Sequence, residues 1–253
     1  MTPYLKEGDN VLSVRVDHSR YADSRWYTGS GIYRDVWLIA APEIHLAQWG
    51  TGWYATSLTD RQATIAVDME VQKHIVTREK LELSATLYDA AGKQVAQRRT
   101  RVSDGKEGIT KETLTLKVTK PHRWNLNDPY LYTLKAELLS NGKRIDGCET
   151  KVGLRTLDFD PNKGFALNGN WMKVKGVCLH HDAGVLGAVV PPEVWERRLN
   201  NLKEIGVNAI RMSHNPHAPI VYDLCDQLGL LVMDEASDEW EFPKRKWIKG
   251  WNK

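Results

Sequence analysis

The chain has 253 residues and a net charge of +3, enough for one large domain or two to three small ones. Lys and Arg are spread along the chain, so nucleic-acid binding has no compositional support, and no run of about 18 apolar residues offers a membrane span. Three cysteines, Cys148, Cys178 and Cys225, are too few and too scattered for a disulfide framework or a zinc site; Cys178 and Cys225 fall on expected core elements and read as buried thiols.

The first ten residues begin on a turn and carry no signal peptide. Val11 to Val16 alternates as a strand, with Val14 and Val16 on one side. A Gly- and aromatic-rich stretch follows, Asp23-Ser-Arg-Trp-Tyr-Thr-Gly-Ser-Gly-Ile-Tyr-Arg-Asp-Val-Trp-Leu. From about Pro42 to Leu154 the pattern has period two. Ala63 to Val71, Leu81 to Asp89, Leu114 to Val118 and Leu131 to Leu138 alternate as half-buried strands do. Asp89-Ala-Ala-Gly-Lys and Ser140-Asn-Gly-Lys are hairpin turns that need positive φ. About seven short strands in roughly 110 residues argue an immunoglobulin-like sandwich. Trp124 reads as a core plug or domain contact, and Arg98 to Arg101 as a solvated strand. Trp49 and Trp53 are the aromatic residues of this region that would form a ligand platform if exposed.

Trp171 to Trp240 changes period again. Lys-Gly-Val-Cys-Leu, Ala-Ile-Arg-Met and Leu-Leu-Val-Met are short apolar runs, as expected of buried parallel strands. Pro191 and Pro192 open an intervening helix whose apolar face is Trp195, Leu199, Leu202 and Ile205, and Gly206 stops it. Ile220, Val221, Leu224, Cys225 and Leu228 make a second such face, closed by Gly229. Strand, helix, strand, helix, strand with short links is β/α winding around a parallel sheet. Each strand ends in polar residues: His180, His181 and Asp182; Arg211 and His214; Asp234 and Glu235. In a β/α barrel those ends form the active face. Adjacent strand residues point to opposite faces, so Asp234 and Glu235 do not flank one bond.

The runs Lys-Gly-Val-Cys-Leu-His-His-Asp, Asn-Ala-Ile-Arg-Met-Ser-His-Asn-Pro and Leu-Cys-Asp-Gln-Leu-Gly-Leu-Leu-Val-Met-Asp-Glu-Ala together closely resemble glycoside hydrolase family 2, which includes β-galactosidases, β-glucuronidases and β-mannosidases. Arg123-Trp-Asn-Leu-Asn-Asp-Pro-Tyr-Leu-Tyr is similar to the family's middle domain. The resemblance implies a multidomain β plus α/β chain. Residues 1–41 would be the end of a jelly-roll sugar-binding domain, 42–154 the immunoglobulin-like sandwich, and 155–253 the first three β/α units of a TIM barrel. Phe165 to Val174 would form a hairpin at the barrel's bottom. About forty residues cannot close a jelly-roll, so Met1 is read as an internal start, and the compartment, cytoplasmic or periplasmic, stays open.

The resemblance also implies roles. His180 and His214 would hydrogen-bond sugar hydroxyls, and Arg211 would orient a carboxylate. Asp182 and Glu235 would support the substrate site. Trp26, with Arg25 and Tyr27, would reach the barrel mouth, either as a sugar platform or as packing between domains. His217 reads as a solvent-facing loop residue. Retaining glycosidases need two carboxyl groups, an acid/base and a nucleophile. In this family both lie later, the acid/base after an Asn. No Asn-Glu pair occurs here, so both are expected beyond Lys253 and this chain alone is expected to be inactive. Glu239 falls where some β-galactosidases hold Mg²⁺ through Glu-x-His, but Glu241 replaces that His. No metal or other cofactor is therefore assigned, with Mg²⁺ left open for the parent. The expected activity of the parent is hydrolysis of terminal β-linked sugars, β-galactosides first and β-glucuronides second. A non-catalytic carbohydrate-binding or adhesion module is the alternative of a different class. The expected partner is a β-linked oligosaccharide or glycoside, and a homo-oligomeric parent is compatible with the resemblance.

Overall fold

The computed structural model describes residues 2–17, 31–103 and 105–237. Residues 11–17 and 31–42 contain no strand, and Val14 and Val16 are exposed. The alternation at Val11 to Val16 therefore does not produce the expected strand. A strand needs a ladder partner to satisfy its backbone, and none pairs with this segment among the described residues.

The sandwich is built from β1 (Ile44–Leu58), β2 (Gln62–Lys73), β3 (Leu81–Tyr88), β4 (Gln94–Arg101), β5 (Gly108–Thr119), β6 (Tyr132–Ser140) and β7 (Lys143–Val152). These form two sheets, ordered β1-β2-β5 and β4-β3-β6-β7, with antiparallel pairing throughout. Alternate residues of both sheets, among them Ile65, Val67, Met69, Leu83, Leu87, Leu116, Leu134 and Leu138, share one core. Burying each such side chain contributes about 1.5–3 kcal/mol. Asn141 and Gly142 have φ of 51° and 81°, so the β6–β7 turn has the primed geometry that matches strand twist. Trp49 lies where the β1–β2 register shifts and is 94% exposed; Trp53 packs partly against the core.

A three-stranded meander of β8 (Leu157–Asp160), β9 (Gly164–Leu167) and β10 (Asn170–Met172) follows. Its Asn168-Gly169 turn again has two positive φ angles. Asn168 Nδ2 donates to the Trp124 carbonyl at 2.9 Å, tying the meander to the sandwich.

The last region is β11 (Gly176–Leu179), α1 (Pro192–Glu204), β12 (Ala209–Met212), α2 (Pro219–Leu228) and β13 (Leu231–Met233). The strands are parallel in the order β11-β12-β13. Leu179, Ile210, Met212 and Leu230 pack against Trp195, Leu199, Val221, Leu224 and Cys225 of the helices. Pro192 and Pro219 stand in the first helical turns, and Gly229 takes the left-handed cap of α2. Two expected core positions are not core. Ile205, the C-cap of α1, is 78% exposed. Cys178 is exposed, because it alternates with Leu179 and faces away from the helices.

The sandwich grips the helix ends furthest from the strand C-termini. Trp124 is buried, and its Nε1 donates to the Asp226 carbonyl at 2.7 Å. Lys203 Nζ donates to the Leu126 carbonyl at 2.8 Å and also to that of Leu228. The C-terminal ends of β11, β12 and β13 are left facing the other way.

Candidate functional site

Register places Cys178 opposite Arg211 and Arg211 opposite Met233. Alternation then sets His180, Arg211 and Glu235 on the sheet face turned away from the helices. Arg211 Nε donates to Glu235 Oε1 at 2.6 Å, and its Nη2 contacts the same oxygen. Arg211 Nη1 lies 3.7 Å from Cys178 Sγ. His214 Nδ1 is 2.7 Å from Glu235 Oε2. The rings of His180 and His214 meet edge to face, 5.4 Å between centroids. Desolvation alone would raise the Glu235 carboxyl, but the hydrogen bonds from Arg211 and His214 outweigh it and hold the group below its ordinary value. Glu235 is thus an ionised acceptor, so the His214 Nδ1 that faces it is the donor. Two charge-assisted contacts to one carboxylate orient both donors.

Asp234 turns the opposite way. Tyr222 of α2 donates its hydroxyl to Asp234 Oδ1 at 2.8 Å and accepts from the His217 backbone N–H at 3.1 Å. Desolvation, then the hydrogen bond to Asp234, pushes the Tyr222 phenol up to about 12. The two adjacent acids therefore serve different faces.

Of the residues singled out from sequence, His180, Arg211, His214 and Glu235 come together. Asp182 stands apart, its backbone carbonyl accepting from Arg198 Nη1 at 3.0 Å. Trp26, Arg25, Tyr27, Glu239 and Glu241 lie outside the described residues. No group of three or more His, Cys, Asp and Glu among the described residues is placed to hold a metal ion. His217 is not solvent-facing. It is 3% exposed, packed between Trp195 and His181 with centroid distances of 5.9 and 4.2 Å. Desolvation, then the neighbouring His181, lowers it to about 4. Its loop curls over α1 rather than outward, so polarity and loop position were misleading.

Three participants carry no local sequence signal. Arg34 Nη2 is 3.1 Å from His181 Nδ1 and donates to the Pro216 carbonyl at 2.9 Å. Asn215 Oδ1 contacts His181 Nε2. Tyr33 lies edge-on to His181, 6.4 Å between centroids.

Comparison with known proteins adds the decisive observation. The profile of glycosyl hydrolases family 2 matches residues 51–155, and that of the family's TIM barrel domain matches residues 161–242. The chain belongs to glycosyl hydrolases family 2. Among family 2 relatives, Beta-galactosidase BoGH2A from Bacteroides ovatus is 44% identical over 247 residues, which is 96% of this chain and 29% of that protein. A beta-glucuronidase from Bacteroides fragilis is 31% identical over 248 residues, 93% of this chain and 35% of its own length. Two solved structures agree in fold. A family 2 member from Bacteroides cellulosilyticus gives a TM-score of 0.83 at 38% identity, over 88% of this chain and 29% of that one. A beta-glycosidase from Bacteroides vulgatus gives 0.82 at 35% identity, over 96% and 30%. The 253 residues thus span about a third or less of these family 2 proteins.

Proposed function

We propose that this chain is part of a retaining glycosidase that hydrolyses terminal β-linked sugars, with β-galactosides preferred. The observation that carries the reading is the Arg211–Glu235–His214 clamp on the strand ends, beside His180. The 44% identity to a named beta-galactosidase supports the sugar.

The clamp orients; it does not cleave. A general acid must hold a proton near neutral pH, and Glu235 is held ionised by two donors. Asp234 is engaged by Tyr222 and faces away. The resemblance to the family's motifs, rather than any elimination, is the ground on which we assign the acid/base and the nucleophile to polypeptide outside these residues. His180 and His214 contribute hydrogen bonds to sugar hydroxyls, which strengthen as the ring flattens toward an oxocarbenium ion. Arg211 keeps its charge and, through Glu235, fixes the angle of His214. The reaction as proposed uses two carboxyl groups and water, and draws on no cofactor.

The test is hydrolysis of nitrophenyl β-galactoside and nitrophenyl β-glucuronide by the full-length protein that contains this sequence. Faster turnover of the galactoside is expected. Faster turnover of the glucuronide would support the second reading, which the identity to beta-glucuronidases keeps in view. No turnover of either by the full-length protein would overturn the proposal.

A further inference from the structure

We propose that Arg34 is a positioning residue that locks the two histidine-bearing loops of the barrel mouth together, an inference that rests on the glycosidase reading above. Arg34 lies well before the sandwich, yet its Nη2 atom reaches two loops at once. It is 3.1 Å from Nδ1 of His181, directly after β11, and 2.9 Å from the carbonyl oxygen of Pro216, after β12. These partners are 147 and 182 residues away along the chain.

The two loops are also joined to each other, since Asn215 Oδ1 contacts His181 Nε2. A cycle results: Arg34 to His181, His181 to Asn215, Asn215 through one peptide to Pro216, and Pro216 back to Arg34. The chemistry fixes each member. A guanidinium only donates, so His181 Nδ1 must accept from Arg34. His181 is then neutral with its proton on Nε2, which donates to Asn215 Oδ1. Desolvation keeps His181 below its ordinary value despite the Asn215 contact, and the Arg34 charge works in the same direction. Tyr33 supports the cation, with the Arg34 guanidinium 5.1 Å from its ring centroid.

His181 adjoins His180, and Asn215 adjoins His214. The cycle therefore sits one residue from both proposed sugar contacts and sets the separation of the two loops. A small misplacement of a contacting group can cost up to about a hundredfold in rate. The hydrogen-bond contacts of Arg34 are to His181 and to the Pro216 carbonyl, one residue from His180 and two from His214, so it acts through the backbone of both loops.

Two measurements test this. In the full-length protein, Arg34→Gln is expected to lower kcat on nitrophenyl β-galactoside by about tenfold to a hundredfold with KM changed less than about threefold. Arg34→Lys keeps a cationic donor for the same two acceptors and should recover most of that loss. In the 253-residue chain, ring ¹⁵N NMR of His181 is expected to show its pKa rising in Arg34→Gln. An unchanged kcat, or equal losses in the Gln and Lys variants that follow their loss of thermal stability, would overturn the positioning role. An unchanged His181 titration would overturn the contact itself. If the unsubstituted full-length protein cleaves no glycoside, the glycosidase reading fails, and the positioning role with it. The NMR result then still decides the Arg34–His181 contact.

Discussion

The indole of Trp124 donates to the backbone carbonyl of Asp226, 2.7 Å away and 102 residues later. One side chain thus joins the sandwich to the last turn of α2. The Arg155 guanidinium lies 4.5 Å from the indole centroid, and Gly153 admits the ring because a Cβ there would come within 3.1 Å of it. Arg155 also faces the Asp226 carboxylate at 3.9 Å, yet desolvation dominates and leaves the Asp226 carboxyl above its ordinary value.

Trp124→Ala should therefore destabilise the chain by about 3–5 kcal/mol, the range for losing a fully buried aromatic. Urea unfolding followed by circular dichroism checks this. A cost below about 1 kcal/mol would mean that the indole is not the main contact between the two regions.

Gly229 caps α2 with φ of 74°, and a Cβ there would lie 2.4 Å from the Leu126 carbonyl oxygen. Gly229→Ala is expected to cost more than the roughly 1–2 kcal/mol of a left-handed non-glycine residue, because the 124–126 loop must also retreat. The comparison is with Gly206→Ala, which has a φ of 90° but meets nothing within 4 Å. The Gly206 variant should show the conformational cost alone.

His217→Ala removes a buried ring from between Trp195 and His181 and should cost about 1–3 kcal/mol. The pH dependence has a definite sign. The folded pKa, about 4, is below the ordinary value of 6.5, so the unfolded chain binds the extra proton between these values. Stability from this group is present above about pH 6.5 and falls as the pH drops toward 4. In His217→Phe the slope of unfolding free energy between pH 4 and 6.5 should be smaller by up to about one proton. An unchanged slope would show that His217 does not titrate as its burial requires.

Glu235→Gln leaves Arg211 and His214 without their shared anion. In the full-length protein, kcat/KM on nitrophenyl β-galactoside should fall by about a hundredfold or more, as for loss of an orienting partner, and His214→Ala should cost a comparable factor. The stability contribution of Glu235 has the carboxylate sign. Its folded pKa is depressed, so the contribution is present above pH 4.5, the ordinary value, and is lost as the pH falls through the folded value. The Gln variant should lose this acid-side dependence. A kcat/KM within about threefold of the unsubstituted protein would reduce the clamp to a structural role.

The 253-residue chain by itself should hydrolyse neither nitrophenyl glycoside, since neither Asp234 nor Glu235 is available to act as a general acid. Turnover by the purified chain, abolished by substituting one of its own residues, would require a catalytic pair within it.

Periodicity by itself determined the runs that became β2, β3, β5 and β6, the two helices and the β/α winding of the last region, because alternation and helical spacing are local and each burial face repeats every few residues. It also separated Asp234 from Glu235, since successive residues at a strand end must diverge. The tertiary structure decided which ends meet what. His217 is buried because α1 supplies Trp195 beneath its loop, and a loop has no period from which to read that. Cys178 is exposed because its strand packs helices on one face only, so an apolar run did not mean burial on both sides. The Val11 to Val16 alternation produced no strand, because a ladder needs a second chain segment and none among the described residues pairs with it. Arg34, His181 and Pro216 form their cycle only once β11 and β12 stand side by side. Contacts across such sequence separations depend on how elements pack, and no local pattern encodes that.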